Sequence, residues 1–291
     1  MSQLFYKRAE CYALLAAAMN GTVGTLTRYG LSVGASHHQV AFWKSFIAFL
    51  VLLTYSLLVP SERKALCQLR HKSLQFIVLA FFGIFCVYFF ETWAFRHAAI
   101  PLVSFLTYAA GGITLILSSL FLRERLGRSR VLSFLLIVIG VYFLFSFEGH
   151  LPGSQAGILL SLVAGLGYAL FIFLSKWMRI GGGVAVLVWL FGFGSLYLAI
   201  PLHLEGFEFP PVMALAAIGA LVLLPSIGGF YFTTRALEKG EASSVQIIET
   251  SDPLFSTLFA FFIFGEVMGR FGAVGAAVIM ALSLIHISEP T

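Results

Sequence analysis

Apolar runs of about 20 residues recur from one end of the chain to the other, and a helix of that length crosses a hydrocarbon core of about 30 Å. Only 11% of the residues are charged, whereas a soluble domain has about 25%. Because a water-facing surface needs charged and polar side chains, this composition excludes a soluble protein of this size. The sequence therefore predicts an all-α membrane protein.

Ten spans account for the apolar runs, and the segments between them are short. The predicted spans are residues 11–31, 40–59, 74–94, 99–122, 129–147, 154–175, 183–203, 211–234, 242–265 and 270–287. The connections leave no room for a separate soluble domain. The first span is full length and has no small-residue cleavage site, so we expect a membrane helix there rather than a removable signal peptide.

Basic residues collect at one end of the predicted spans. When the N-terminus is placed in the cytoplasm, fourteen of the 18 Lys and Arg residues fall on the inner side: Lys7, Arg8, Arg63, Lys64, Arg70, Lys72, Arg123, Arg125, Arg128, Arg130, Lys176, Arg179, Arg235 and Lys239. Arg28, Arg96 and Arg270 lie at outer ends, and Lys44 lies within a span. Since cytoplasmic loops of membrane proteins carry an excess of Lys and Arg, the N-terminus is predicted to be cytoplasmic.

Several functional classes lack support in the sequence. The net charge of +5 arises from the inner loops rather than from a nucleic-acid-binding face, so no nucleic-acid partner is expected. The three cysteines have no CxxC or metal-ligand spacing, and we predict neither a metal site nor a cofactor. The chain also lacks GxSxG and HExxH motifs, so we expect no enzyme activity and no catalytic residues.

An internal repeat relates the two halves of the chain. Residues 94–128 align with residues 236–270 without a gap, at an offset of 142, and both segments carry a Glu three residues before a closing Gly-Arg. We therefore divide the chain into halves of five spans each, residues 1–150 and 151–291. Because five is odd, the second half enters the membrane upside down relative to the first. Inverted repeats are typical of secondary transporters, in which the substrate site lies near the midplane between the halves.

The paired segments TYAAGGITLILSSLFLRERL and IIETSDPLFSTLFAFFIFGE resemble the signature of the EamA-type drug/metabolite transporter superfamily. The resemblance covers nearly the whole chain, including the layout of five plus five spans. It implies a bacterial carrier of the inner (plasma) membrane that exports amino acids or other small metabolites. Related branches of the superfamily carry nucleotide sugars or triose phosphates, so the resemblance is specific for the superfamily and weak for the substrate.

Two features depart from the family pattern. Gly111 occupies the position in the first half that Pro253 occupies in the second, so a proline kink would be one-sided. The C-terminal residues ALSLIHISEPT also differ from the Gly-containing aliphatic end of the family's last helix. We hypothesise that residues from about 282 to 291 are a non-native tail, and resequencing of the parent DNA would test this.

The ninth span carries a polar stripe on one helix face, because polar or small side chains recur there at steps of three to four residues. The stripe consists of Ser243, Gln246, Glu249, Asp252 and Ser256. The matching stripe in the first half lies on the fourth span and consists of Pro101, Ser104, Thr107, Ala110 and Thr114. An acid at the bilayer centre costs about 2.5–3.5 kcal/mol on insertion scales, so these stripes are expected to face a central cavity rather than lipid.

Pro253 cannot donate a backbone hydrogen bond, which predicts a kink that frees the carbonyl group of Glu249. We predict that Pro253 and Gly111 are hinges and that Gln246, Glu249 and Asp252 belong to the substrate site. The carboxylate beside the free carbonyl would bind a proton or a substrate amine. The alternative is a structural kink, with the carbonyl satisfied by water or a neighbouring hydroxyl.

Two further charges lie inside predicted spans. Lys44 matches in kind a basic residue that the resembled family commonly has in its second helix, and it could attract a substrate carboxylate or pair with an acid. The alternative is that Lys44 extends to the nearby interface. Glu91 is a candidate substrate ligand, and the alternative is an interfacial ion pair with Arg96 or Arg28.

Asn20 and Thr25 make the first span unusually polar and are candidate substrate ligands. Close helix packing at the neighbouring glycines would also explain them. Aromatic side chains could form the cavity walls, although Trp and Tyr near span ends often belong to the interfacial belt. The aromatic candidates for substrate binding are Trp43, Tyr108, Tyr168 and Tyr231.

Together these features predict a secondary transporter that works by alternating access around a central cavity. Its partners would be the lipid bilayer and a small molecule, such as an amino acid or another polar metabolite. Protons are a further candidate partner, because a low-dielectric cavity favours the neutral form of an acid. The alternative function is that of a flippase or carrier of lipid-linked or nucleotide sugars.

Overall fold

The computed structural model describes residues 2–124 and 155–265, together with positions 131, 132, 135 and 139. Within these residues every regular element is helical, and seven helices are long and apolar enough to cross a membrane. Eight of the ten predicted spans fall in the two continuous ranges, and helices occupy all eight. The tenth span, Glu266 and the tail lie outside the described residues, as does most of the fifth span.

In the first half, the chain forms α1 (Ser2–Asn20), α2 (Val23–Ser32), α3 (His37–Leu58), α4 (Pro60–Gln68), α5 (Ser73–Ala80), α6 (Thr92–His97), α7 (Ile100–Ala109) and α8 (Gly111–Phe121). A short 3₁₀ turn, Leu69–Lys72, joins α4 to α5, and a π-helical segment, Phe81–Glu91, joins α5 to α6.

In the second half, the chain forms α9 (Gln155–Trp177), α10 (Val184–Leu204), α11 (Val212–Leu221), α12 (Phe230–Lys239), α13 (Ala242–Glu249) and α14 (Asp252–Phe264). A second π-helical segment, Val222–Gly229, joins α11 to α12. Large apolar side chains on the outer helix faces are exposed, as expected for surfaces that contact lipid tails.

The first predicted span is two helices rather than one, because α1 ends at Asn20 and α2 begins at Val23. At the break, the Thr22 hydroxyl donates to the Met19 carbonyl over 2.7 Å. The glycine of the break lies against α14: a Cβ atom on Gly21 would be 3.0 Å from the backbone nitrogen of Ser256. The break therefore allows close contact between the first span and the ninth.

The two π-helical segments occupy equivalent places in the repeat. At the offset of 142, Val222–Gly229 matches residues 80–87, which overlap Phe81–Glu91. Tyr88 and its repeat mate Phe230 also touch edge to face, with ring centroids 5.9 Å apart. Because mates that touch each other lie close to a symmetry axis, the pseudo-two-fold axis passes near this pair. π-helical turns are wider than α-helical ones and are frequent at functional sites.

The broken helices α7–α8 and α13–α14 cross each other at the centre of the fold. Ser104 on α7 and Ser256 on α14 are hydrogen-bonded, with the hydroxyl oxygens 2.8 Å apart. The Thr114 hydroxyl on α8 donates to Gln246 Oε1 on α13 over 3.1 Å. At the offset of 142, Ser104 is the mate of Gln246 and Thr114 is the mate of Ser256. The two hydrogen bonds are therefore symmetry equivalents.

Glycines on α9 allow it to lie directly against the crossing helices. A Cβ atom on Gly165 would be 2.9 Å from the carbonyl carbon of Thr107 and 3.0 Å from Ala110 Cβ. We expect Gly165→Ala to lower the free energy of unfolding by about 1–3 kcal/mol, because the methyl group displaces backbone atoms. Thermal unfolding in detergent measures this. In the control Gly219→Ala, the new Cβ meets nothing within 4 Å. Equal midpoints for both variants would contradict the prediction.

Candidate functional site

A cavity lies beside the helix crossing, between elements of both halves. Its volume is about 30 Å³, which is room for about one or two water molecules. It is lined by Asn20, Val23, Lys44, Val87, Tyr88, Glu91, Thr107, Tyr108, Tyr168, Pro225, Ser226, Phe230 and Asp252. Both breaks near the centre, between α1 and α2 and between α13 and α14, contribute to this lining. Among the predicted site residues, Asn20, Lys44, Glu91, Tyr108, Tyr168 and Asp252 line the cavity.

Lys44 on α3 is the cation of the cavity lining, and only 1% of its surface is exposed. Its Nζ donates to the Thr92 hydroxyl over 3.2 Å and lies 4.0 Å from the centroid of the Tyr88 ring. A cation over an aromatic face is attracted by the negative charge of that face. The side chain therefore points into the protein. The alternative interpretation required it to extend to the interface, and it does not.

Glu91, the last residue of the first π-helical segment, lines the same cavity as Lys44 and is 8% exposed. Among the described residues, Glu91 is paired with neither Arg96 nor Arg28. Arg96 is exposed, and Arg28 Nη2 donates to the Ala98 carbonyl over 2.6 Å. The difference is one of depth, because Glu91 lies in the buried lining of the cavity and Arg96 lies on the exposed surface.

Asp252 brings a second acid to the cavity, from the second half of the chain. It is the first residue of α14 and is 4% exposed. The Tyr108 hydroxyl donates to Asp252 Oδ2 over 3.1 Å. Its position in the first turn of a helix also stabilises a carboxylate, because the helix dipole is positive at that end.

Glu249, the last residue of α13, is completely buried behind the cavity wall. The Tyr168 hydroxyl donates to one carboxylate oxygen, and the Thr233 hydroxyl donates to the other over 2.7 Å. Tyr168 itself lines the cavity and meets Tyr108 edge to face, with ring centroids 5.6 Å apart. Glu249 is therefore one side chain away from the cavity, and Tyr168 connects it to that space.

The sequence predicted that Pro253 would kink a continuous helix, but the structure has two separate helices there. The helix ends at Glu249 and a new one begins at Asp252, which puts Pro253 in the first turn of α14. A proline is tolerated there because the first turn has no carbonyl partners for its N–H groups. The partner helix also breaks, between Ala109 and Gly111, so the interruption is two-sided rather than one-sided.

Gln246 belongs to the helix crossing rather than to the cavity lining. Its side chain fills the space beside Gly111, where a Cβ atom would be 2.7 Å from Gln246 Nε2. Thr25 is 3% exposed and does not line the cavity either. Gln246 therefore packs between helices, whereas the buried Thr25 hydroxyl has no hydrogen-bond partner among the described residues.

Trp43 and Tyr231 also lie away from the cavity. Trp43 stacks on Phe209 with ring centroids 5.3 Å apart, in the segment that follows α10. Since consecutive residues of an α-helix differ by about 100° in direction, Trp43 and Lys44 cannot both face the cavity. Tyr231 packs beneath the Arg235 guanidinium, which lies 5.4 Å from its ring centroid.

Sequence reasoning missed several residues of the site. Tyr88 supports Lys44 and donates to the Ser226 hydroxyl over 2.7 Å, which joins the two π-helical segments. Tyr88 lies three residues before Glu91, and that spacing could have indicated a shared face. Thr233, which binds Glu249, was also missed, whereas Thr107 of the predicted polar stripe does line the cavity. A lone hydroxyl in an apolar run carries no comparable signal.

Glu124, in the family-like ending of the first segment, has a structural role. Its carboxylate accepts hydrogen bonds from the backbone nitrogens of Ala242 and Ser243, over 2.9 and 3.0 Å, and from the Ser243 hydroxyl over 2.6 Å. These donors begin α13, whose first N–H groups have no partners within the helix. Glu124 thus joins the first half to the start of the ninth span.

The scaffold is symmetric, but its charges are not. Each ionisable residue of the site has an uncharged repeat mate. The offset of 142 puts Thr107 opposite Glu249 and Ala110 opposite Asp252, and, carried on before the aligned segments, it puts Thr233 opposite Glu91 and Val186 opposite Lys44. The first half therefore supplies the cation and one acid, and the second half supplies two acids at the helix break.

Comparison with known proteins identifies relatives of the whole chain. The model of the EamA-like transporter family matches residues 7–146 and 155–287. A protein of Archaeoglobus fulgidus, named "uncharacterized transporter", is 27% identical over 278 residues, which cover 95% of each chain. A protein of known crystal structure superposes with a TM-score of 0.74 over 95% of each chain. At 19% identity, that last similarity shows the fold alone.

Proposed function

This chain belongs to the EamA-like transporter family, and from that premise we propose that it exports small polar metabolites, such as amino acids, by alternating access. Family membership and the apolar helices make it a multi-pass membrane transporter. The proposed location is the inner membrane, with a cytoplasmic N-terminus, which the distribution of Lys and Arg supports.

The observation that carries the proposal is a buried cavity with charges of both signs. Lys44 offers an ammonium group, while Glu91 and Asp252 offer carboxylates. Burying these groups is costly unless they have partners, so membrane-buried charges generally serve a function. A zwitterion supplies a carboxylate for Lys44 and an ammonium group for an acid. A nucleotide sugar or a lipid-linked sugar would supply anionic phosphate for Lys44 but no cation for the two acids.

Alternating access follows from the size and position of the cavity. A volume of about 30 Å³ is too small for an amino acid, so the surrounding helices must separate to admit one. The breaks before Gly111 and Pro253 interrupt both crossing helices at the same level. We propose that these breaks are the hinges about which one half rocks against the other.

Protons are the proposed coupling ion. Glu249 is buried without a neighbouring cation among its hydrogen-bond partners, Tyr168 and Thr233. A buried acid of this kind can exchange a proton with the cavity through the Tyr168 hydroxyl. Asp252, held by Tyr108, is the second proposed carrier.

Uptake into proteoliposomes tests the proposal. The substrate panel contains zwitterionic amino acids, matched amines that lack the carboxylate, nucleotide sugars and lipid-linked sugars. We expect uptake of amino acids above that of protein-free liposomes, and no uptake of the sugars. Transport of a nucleotide sugar or a lipid-linked sugar without amino-acid transport would contradict the proposal and support the alternative function.

A further inference from the structure

A cluster of imidazole and indole rings lies at the opposite end of α3 from the basic loops. His37 and His38 begin α3, and their ring centroids are 3.8 Å apart. His37 stacks on Trp93 of α6, with centroids 5.0 Å apart and an interplanar angle of 16°. The Trp93 indole nitrogen donates to His97 Nε2 over 3.1 Å.

His37 is the unusual member of the cluster. It is 6% exposed, and neither of its ring nitrogens has a hydrogen-bond partner among the described residues. A buried polar group without a partner is costly, so native structures rarely keep one without a reason. The ring packs well while it is neutral, since the Trp93 face covers it.

We propose that this cluster is a proton-operated gate at the outer end of the transporter, closed when His37 and His38 are neutral and opened when they are protonated. This inference rests on the proposed transport function and adds its regulation by external pH. Histidine is the side chain whose charge ordinarily changes between about pH 5 and pH 8.

Protonation is unfavourable in the closed arrangement for three reasons. Two imidazolium rings 3.8 Å apart would repel each other. Both residues lie in the first turn of α3, where the helix dipole opposes positive charge. Arg96 and His97 of α6 also lie near His37, and both disfavour a positive charge on it. Glu205, whose Oε1 lies 3.9 Å from His38 Nε2, is the acid facing the cluster and is largely exposed.

The cluster is connected to the cavity through the same two helices. His37 and Lys44 are seven residues apart on α3, which puts them on one face and about 10 Å apart along the helix. Their partners on α6 are consecutive residues: Trp93 stacks on His37, and Thr92 accepts the Lys44 hydrogen bond. Separation of α3 from α6 at the cluster would therefore loosen the contact that holds Lys44.

His97 fixes the indole that covers His37. Its exposed ring accepts the hydrogen bond from Trp93, whereas His37 is enclosed behind that indole. Displacement of Trp93 then opens the buried His37 ring to water.

Fluorescence of a single-tryptophan protein tests the gate without any substrate. Trp43, Trp177 and Trp189 are replaced by Phe, which leaves Trp93 as the emitter, and His97 is replaced by Gln, which keeps a hydrogen-bond acceptor for Trp93 but is not a histidine. Acidification from about pH 8 to pH 5, the range of histidine titration, is expected to change its emission in a sigmoidal manner. His37→Phe keeps an aromatic ring on Trp93 but cannot be protonated, and we expect it to abolish that change. The same titration in His37→Phe would overturn the gate.

Transport in proteoliposomes provides the second measurement. Acid on the side of His37 is expected to change the exchange rate several-fold, and acid on the other side is not. His37→Phe should lose this response, while the control His71→Gln, at the opposite end of the molecule, should keep it. If transport is seen and His37→Phe responds like the parent protein, the gate is wrong and the proposed function stands. If no substrate is transported but the fluorescence change depends on His37, the gate stands and the proposed function is wrong.

Discussion

Replacing Lys44 with methionine is expected to weaken the uptake of zwitterionic and acidic substrates by about 30-fold or more, equivalent to about 2 kcal/mol of lost binding free energy. The reason is that Lys44 is the buried cation available to a substrate carboxylate. Methionine keeps the length and apolar character of the side chain while removing the charge. Uptake assays across a concentration series, with matched amines that lack a carboxylate, separate binding from rate.

The control for this prediction is Lys64→Met, which removes an exposed charge of the same kind. It should leave uptake unchanged. In Lys44→Met, amines should lose much less affinity than amino acids do. An equal loss for both classes would mean that Lys44 stabilises the fold rather than binds the substrate. In Lys44→Met, the buried Glu91 carboxylate loses the cation that lines the same cavity. The double variant with Glu91→Gln removes this carboxylate as well, so it shows whether Glu91 contributes to the loss of uptake.

Glu249→Gln is expected to lower the transport rate by about tenfold or more, since proton transfer by a positioned acid typically contributes factors of about 10²–10⁴. Glutamine fills the same volume but cannot carry the proton. The folded, detergent-stable fraction should remain because one of the two hydroxyls, of Tyr168 or Thr233, can still donate to the amide oxygen while the other accepts from the amide NH2 group. Initial rates with and without a pH gradient measure the effect.

Glu238→Gln is the matched control, because Glu238 is exposed on α12 and pairs with Arg235 over 2.8 Å. It should transport like the parent protein. Stimulation of transport by the pH gradient should disappear in Glu249→Gln and persist in Glu238→Gln. Unchanged transport by Glu249→Gln would remove Glu249 from the transport mechanism.

The prediction of an all-α membrane protein with an internal repeat is confirmed. This prediction could be made from sequence because charged side chains and unpaired backbone groups are costly in lipid. Long apolar helices avoid both costs. The backbone irregularities could not be predicted. The break at Gly21 and the π-helical segment Phe81–Glu91 both lie in apolar runs. Such a run has the same hydropathy whether it forms a straight α-helix, a π-helix or a broken helix.

The charged members of the site were conspicuous in the sequence for the same energetic reason. Lys44, Glu91 and Asp252 interrupt apolar runs, and the structure brings all three to one cavity. Aromatic residues gave no such guidance. Tyr108 faces the cavity whereas Trp43 faces the outer segment, and only the direction of each side chain on its helix decides between them.

The unequal charges of the two repeats have an energetic consequence for the resting protein. If the halves were chemically identical, the inward-open and outward-open forms would be related by the two-fold rotation and would have equal free energies. Lys44 and the three acids have uncharged mates, so the rotation does not restore the same surroundings. If the proposed alternating access holds, the empty carrier is expected to favour one side of the membrane, and a difference of about 1.4 kcal/mol would populate that side tenfold more than the other.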